Sequence, residues 1–431
     1  MIGYEEWGEV MNFTLKNFGK IAEANIKLDG ITVICGNNNT GKSTVGKALF
    51  CYFNALNDYK NKINAQKDIK LRLAIRSHIS YPMGAPSKTL YPGNSMEFIS
   101  THDNSFTSDE VKEFIETFYG VKLPKEKLIS LVDYLNTSEI DILNEYVYRY
   151  ITNVMNGQIK NVYSSNNSQC LISGEFKNFT NTINIRKINC ICKLNEPIEH
   201  SAYYINTPFS LDNLNDYRIG TNGSNPMSRK VVDAILRAQA EINEDSMTNI
   251  LDSVLNKKEL DDVRKIIKKA YSGDTVIDHG RYFYTEKGFT FDFRNISAGL
   301  KSFAIIERLL ETGVLKRKDV LILDEPEIHL HSEWQIIYAE LIVILQKTFD
   351  LTILLVTHSF QFLESLDFFM KKHGISNRGN YCVPESTEKG IIIKSCGNDA
   401  LELKKVLTTG SVILSDLKFK YEMENYGEEN N

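Results

Sequence analysis

Ile31-Thr32-Val33-Ile34-Cys35-Gly36-Asn37-Asn38-Asn39-Thr40-Gly41-Lys42-Ser43 is the stretch that decides how this chain is read. Ile31–Cys35 has the apolar run of a buried strand, and the eight residues that follow fit G-x-x-x-x-G-K-[ST]. After Ser43 the period changes: Val45, Ala48, Leu49, Tyr52, Phe53 and Leu56 recur at helical spacing. The motif therefore lies between a predicted strand and a predicted helix, the context it needs. Glycines let successive backbone N–H groups turn toward an anion, and the start of the helix adds partial positive charge. Gly36, Asn37, Asn38, Asn39, Thr40, Gly41, Lys42, Ser43 and Thr44 are thus the expected cradle for the phosphates of a nucleotide. Lys42 is expected to reach the β- and γ-phosphates, and the Ser43 hydroxyl to bind Mg2+. Asparagine accepts left-handed backbone angles more readily than most residues, which suits Asn37, Asn38 and Asn39.

Outward from this loop, Val320-Leu321-Ile322-Leu323-Asp324-Glu325 reads as a second buried strand that presents two carboxylates at its end. With a phosphate loop in the same chain, Asp324 is expected to hold Mg2+ and Glu325 to act as general base toward a water. Helix-period segments at Gly299–Glu311 and Glu333–Gln346 alternate with the apolar runs Val320–Leu323 and Leu351–Val356. Such β-α-β alternation predicts a parallel sheet covered on both faces.

Asn295-Ile296-Ser297-Ala298-Gly299-Leu300-Lys301-Ser302 precedes the first of those helices. A Ser hydroxyl, a Gly N–H and a helix start make a sensible anion site; an N-cap at Ser297 is the plain alternative. Thr357-His358-Ser359 ends the later strand. The order phosphate loop, S-x-G-x-K before a helix, I-L-D-E-P-E-I-H-L-H and V-T-H-S resembles the ABC-type ATPases of the OLD/RecF-like AAA family (the AAA_15/AAA_21 type). The matching motifs cover about 11–56 and 290–365. The runs S-A-G-L-K-S-F and D-E-P-E-I-H-L-H-S-E-W-Q are most similar to stand-alone ATPase subunits of bacterial phage-defence systems such as PARIS and Septu.

That resemblance implies an α/β P-loop head with a parallel-core sheet, and a helix-rich α+β insertion between the phosphate loop and the signature. It implies that Ser297, Ala298, Gly299 and Lys301 form a degenerate signature reaching, across a head-to-tail dimer, the ATP held by the other subunit. It makes His358 the switch histidine, whose neutral imidazole can hydrogen-bond the γ-phosphate or the attacking water. Glu325, Glu327, His329 and His331 fall within seven residues, and H-x-H can ligate a metal. The resemblance instead makes this the loop at the dimer seam. Two departures stand out. Ser332 replaces the Pro that often follows the second His, and the Q-loop glutamine has no counterpart in Tyr203–Leu211. OLD nucleases carry a Toprim domain after the ATPase. The residues after His358 show neither an acidic metal cluster nor an HNH-like pattern, which points to an effector, a nuclease or toxin, on another polypeptide. The rival readings are a RecF-like DNA-repair clamp and a slowly hydrolysing ATP-bound scaffold that restrains a toxin.

The expected organisation is a head from 11–57 and 290–396, an insertion at 58–199, a return strand and loop at 200–228, a helical segment at 229–289 and a C-terminal helix with acidic tail at 397–431. Within these, helices are predicted at Ser108–Tyr119, Lys125–Leu135, Ser138–Met155, Arg229–Ile242, Met247–Asn256 and Lys258–Ala270. Of the 431 residues 42% are hydrophobic and 24% charged, the balance of a folded, soluble protein. Fifty Lys+Arg against 55 Asp+Glu leave a net charge of −5, which excludes a generally basic nucleic-acid wrapper though not a local basic groove. Apolar runs such as Leu341–Leu345 are too short to span a bilayer. The seven cysteines are scattered and contain no C-x-x-C, the pattern of reduced thiols. With no charged-then-apolar leader, a cytoplasmic protein without membrane contact is expected, and the resemblance implies a homodimer or higher homo-oligomer.

Overall fold

In the computed structural model the described residues are 10–78, 94–102, 105–165, 168–214, 226–243, 250–278, 281–408 and 415–419. The chain opens with an antiparallel pair, β1 (Met11–Phe18) and β2 (Ile21–Leu28), and enters the buried strand β3 (Ile31–Cys35). The phosphate loop and α1 (Lys42–Leu56) follow, then helices α2 (Tyr59–Arg76), α3 (Asn94–Thr101), α4 (Ser108–Tyr119), α5 (Lys125–Leu135) and α6 (Glu139–Val154). Strands β4 (Cys170–Glu175), β5 (Thr180–Arg186), β6 (Asn189–Lys193) and β7 (Ala202–Ile205) precede a 3-10 turn at Pro208–Leu214, then α7 (Pro226–Asn243) and α8 (Ile250–Ala270). A small antiparallel sheet, β8 (Asp274–Asp278), β9 (Arg281–Glu286) and β10 (Phe289–Asp292), leads to α9 (Ala298–Glu311). The chain then runs through β11 (Val320–Asp324), α10 (Ser332–Phe349), β12 (Thr352–Thr357), α11 (Phe360–Lys372) and the hairpin β13 (Gly379–Thr387) and β14 (Gly390–Ser395).

Among the described residues eleven strands form one sheet in the order β6-β5-β4-β1-β2-β14-β13-β3-β12-β11-β7. The half from β13 to β7 is parallel, as the apolar runs predict, and the half from β6 to β2 is antiparallel. Side chains alternate across the parallel half with period two, and both faces are apolar. Ile31, Val33, Leu321, Leu323, Ile353 and Leu355 enter one core with α7–α11. Ile34, Val320, Ile322, Leu354 and Tyr204 enter the other with α1 and α6. The parallel register aligns Asp324 with Val356 and Thr357 with Cys35, so β3, β11 and β12 end along one edge.

The stretch 58–199, read as one insertion, contributes two different things. Helices α2–α5 bury a separate small core around Leu71, Phe114, Leu131 and Leu135. Strands β4–β6 instead continue the head sheet, because β4 pairs with β1 along Asn12–Lys16. Two further corrections concern the helical segment and its neighbour. The helices predicted at Met247–Asn256 and Lys258–Ala270 form one helix over Ile250–Ala270, since Asn256-Lys257 supplies neither the Gly nor the Pro that stops a helix; Met247 lies outside the described residues. The sequence pattern predicts a strand pair at Arg281–Thr285 and Gly288–Phe293, and β8 joins it as a third member.

Asn54, buried on α1, ties that helix to β7. Its amide donates to the Ala202 carbonyl at 2.7 Å, and the Ala202 N–H donates back to its oxygen at 3.4 Å. Asn54→Leu leaves both backbone groups unpaired in a buried place and should cost about 1–3 kcal/mol in a urea melt.

Candidate functional site: a phosphate loop facing two carboxylates

The loop between β3 and α1 is shaped by close contacts. Asn39 (φ 67°) and Gly41 (φ 75°) take left-handed backbone, so one of the three asparagines uses that tolerance. Gly36 has no room for a side chain: a Cβ there would lie 2.6 Å from Pro384 Cγ. The buried Lys42 ammonium donates to the carbonyls of Gly36 (2.9 Å) and Asn37 (2.7 Å), and Thr40 Oγ1 donates to the same Asn37 carbonyl at 2.7 Å. Burial lowers the Lys42 pKa, and the nearby Glu325 and Asp324 carboxylates partly oppose that. The ammonium thus sits under the loop with its charge only partly compensated, a good partner for an anion.

Across the sheet edge, Ser43 Oγ donates to Asp324 Oδ1 at 3.0 Å. The Tyr204 hydroxyl donates to Asp324 Oδ2 at 2.5 Å. Burial pushes the Asp324 carboxyl up, and these two hydrogen bonds hold it down. Burial also raises the Tyr204 phenol, which keeps its proton available to the carboxylate. A hydroxyl and a carboxylate oxygen at one point are hard donors of the kind Mg2+ takes, with phosphates and water completing its shell. Ser43 and Asp324 therefore fit the ion.

Glu325 follows β11 with left-handed backbone (φ 54°), its N–H donating to the Val356 carbonyl at 2.8 Å. Its Oε1 is 3.3 Å from His358 Nδ1, so the two expected catalytic side chains meet. Beneath them lies Glu327, 2% exposed. It accepts from Thr357 Oγ1 at 2.5 Å and from the His358 N–H at 3.3 Å, and burial pushes its carboxyl up. Ser359 caps α11 and donates to Gln335 Oε1 at 3.2 Å, which clasps the turn carrying His358 against α10. In the run once open to a metal reading, Glu327 is thus committed to that turn, and His329 packs edge-on against Phe209.

The signature residues lie elsewhere. Ser297 caps α9, accepting from the Leu300 N–H at 3.3 Å. Gly299 is closely packed: a Cβ there would lie 3.0 Å from the His329 carbonyl oxygen and 3.2 Å from the Trp334 ring, tighter than ordinary contact. Helix α9 belongs to the core on the opposite face of the sheet from α1. Lys301 corrects the expectation placed on it. It is 2% exposed, pairs with Asp212 at 2.5 Å, donates to the Arg294 carbonyl at 3.0 Å and lies over the Phe209 ring. Its ammonium holds the 3-10 turn at Pro208–Leu214 onto α9 and is withdrawn from any anion outside.

Residues 9–363 match the family model described as AAA ATPase domain. The chain belongs to that family. No curated protein matches it in sequence. Among solved structures it is similar to an SMC head domain from Thermotoga maritima (11% identity, 90% of this chain and 98% of that one, TM-score 0.37). It is also similar to the SMC head bound to the C-winged helix domain of ScpA (10%, 91% and 99%, TM-score 0.45). The head with extended coiled coil bound to the C-terminal domain of ScpA derived from Pyrococcus furiosus is a third such case (10%, 95% and 99%, TM-score 0.42). Likenesses of this size add nothing to what the sheet and the family already establish. As an AAA ATPase domain the chain is, in general terms, a P-loop nucleotide-binding enzyme.

Two residues of this AAA ATPase that bear on the site escape a reading of the motifs. Tyr204 leaves one signal: it falls in register with Ile322, on the face where α1 carries Gly46, whose absent side chain makes room for both. Glu327 leaves only its place in the acidic run after β11. Tyr204→Phe removes one hydrogen bond from the carboxylate that fits Mg2+, without altering shape. It should raise the Mg2+ concentration for half-maximal turnover about tenfold while leaving metal-free nucleotide binding intact, as magnesium titrations of activity and binding would show.

Proposed function

We propose that this chain is a Mg2+-dependent ATP hydrolase whose heads pair head to tail around ATP and gate or scaffold a separate effector in defence against phage. The observation that carries the enzymatic part is the 3.0 Å contact of Ser43 with Asp324, beside the 3.3 Å contact of Glu325 with His358. Lys42 and the loop amides hold the phosphates. Bound Mg2+ supplies neutralisation of charge on the phosphate oxygens. Glu325 takes a proton from the attacking water, and His358 fixes the orientation of the Glu325 carboxylate.

Pairing is supported by the position of α9. Its N-terminus is carried by the core opposite α1, so the Ser297 hydroxyl and the amides of Ala298 and Gly299 suit the nucleotide of a second copy. Capping occupies one lone pair of the Ser297 hydroxyl and leaves its proton for a phosphate oxygen. Lys301 is left out of that set. The defence assignment is supported by the S-A-G-L-K-S-F and D-E-P-E-I-H-L-H-S-E-W-Q runs.

Glu325→Gln should retain ATP and lose turnover about a hundredfold or more. Light scattering of that protein should show one chain without Mg-ATP and two with it. A monomer in both conditions would sink the trans role of Ser297, and a larger assembly in both, with tight ATP and almost no turnover, would favour the scaffold. DNA-stimulated turnover that falls steeply with salt would instead favour a DNA clamp.

A further inference from the structure

A cavity of about 500 Å³ opens beside the phosphate loop, within the range of roughly 300–1,000 Å³ that encloses a nucleotide-sized ligand. The loop supplies only part of the lining. Met155, Asn156, Gln158, Lys160 and Val162, the segment that follows α6, supply another part, beside Gly19, Lys20, Lys47 and Glu325. Resting on the nucleotide reading above, the geometry points to this segment as the wall that receives the nucleoside, with the phosphates at 36–44 and the base and ribose against 155–162.

The wall is built in advance. Asn156 (φ 48°) and Gly157 (φ 81°) both take left-handed backbone, which ends α6 and turns the chain across the tip of the β1–β2 hairpin. The Gly19 N–H donates to the Ile159 carbonyl at 2.8 Å, the Asn161 N–H to the Asn17 carbonyl at 2.8 Å, and the Val162 N–H to the Gly19 carbonyl at 3.3 Å. The buried Asn161 side chain adds a bond to the Lys389 carbonyl at 2.8 Å and accepts from the Tyr163 N–H at 2.9 Å. At Gly19 (φ 58°) a Cβ would lie 2.7 Å from Thr44 Cγ2 and 3.6 Å from Met155 Cε, so the hairpin tip is pressed between the phosphate loop and the wall. A segment pinned this way loses little freedom when a ligand arrives.

Its chemistry suits a nucleoside. Val162 is 64% exposed, an apolar surface with no place in either core, and the Met155 thioether stands near the hairpin tip. Each lines the cavity and offers an apolar contact for a base. The exposed amides of Asn156 and Gln158 carry donors and acceptors for base edges or ribose hydroxyls. Because this wall is the end of α6, the insertion touches the nucleotide directly.

ADP and inorganic pyrophosphate separate the two halves of the cavity, and neither is consumed. Calorimetric titration of the full chain with each, in Mg2+, should find ADP bound about tenfold or more tighter than pyrophosphate. The double variant Gln158→Ala, Val162→Ser should narrow that ratio to about threefold or less and leave pyrophosphate affinity, which doubles as the test of folding, unchanged. ADP, and not pyrophosphate, should slow hydrogen exchange across 155–163. An unchanged ratio in the variant overturns the wall, as does equal weakening of both ligands, which would mean the segment acts only by bracing the phosphate loop. Failure of both ligands to bind the natural chain overturns the nucleotide reading itself.

Discussion

The hydrogen bond between Ser43 and Asp324 joins residues 281 positions apart, and the architecture of the head follows from the need to hold it. Ser43 opens α1 just after β3, and Asp324 ends β11. Between those two strands lies β12, paired in parallel with both. Parallel strands need long crossover connections, and the connections here are helices that cover both faces of the sheet. The carboxyl ends of the strands then share one edge, where open α/β sheets place their ligands. Glu325, Thr357 and His358 come to the same edge by the same register.

That edge concentrates charge in a buried place, and the remaining contacts offset its cost. An ionised group removed from water is stabilised only by partners within hydrogen-bond reach. Asp324 has Ser43 and Tyr204, Glu327 has Thr357 and the His358 N–H, and Lys42 has two loop carbonyls. Lys301 follows the same rule with a different outcome. Its partners Asp212, the Arg294 carbonyl and the Phe209 face are all supplied by its own chain. A lysine that satisfies a signature pattern in sequence is, in space, the pin of a 3-10 turn. Its place one turn after Ser297 does not decide where its ammonium goes, because the stem is long enough to reach inward.

What could be read in advance follows the range over which each signal acts. The phosphate loop and the β11 carboxylates are local patterns bounded by uninterrupted apolar strands, and those strands are plain because both their faces are buried. Helix α2 was not plain. Its inward stripe is Ile63, Lys67, Leu71 and Ile75, and the lysine in the second place breaks the apolar period. The Lys67 stem is buried all the same, with its ammonium over the Phe106 ring at 5.9 Å. Alternation predicts strands at Leu171–Phe176 and Ile183–Cys192, and the second of these is in fact two, β5 and β6, folded back on each other; their membership in the head depends on the pairing of 12–16 with 171–175, which no local pattern encodes. Tyr204 is a similar case. The pair Tyr203-Tyr204 sends one ring into each core, and only the register with β11 decides which hydroxyl meets Asp324.

That same tyrosine shows how the insertion meets the head. Tyr146 stacks on Tyr150 along α6 (centroids 6.0 Å), Tyr150 on Phe50 of α1 (6.2 Å), and Phe50 stands edge-on to Tyr204 (6.2 Å), whose hydroxyl is on Asp324. Interiors are packed as densely as organic crystals, so rings in such a row have little slack between them. Helix α6 also shares the core of α1 through Leu143, Val147 and Ile151. Its side chains therefore bear on the metal-fitting carboxylate, while its C-terminal end turns into the segment that faces the phosphate loop. Helix α6 thus reaches the site twice, through the Tyr150 ring packed in the row behind Asp324 and through the 155–162 segment that follows it and lines the cavity. The insertion is joined to the phosphate-loop site by packing at these two points.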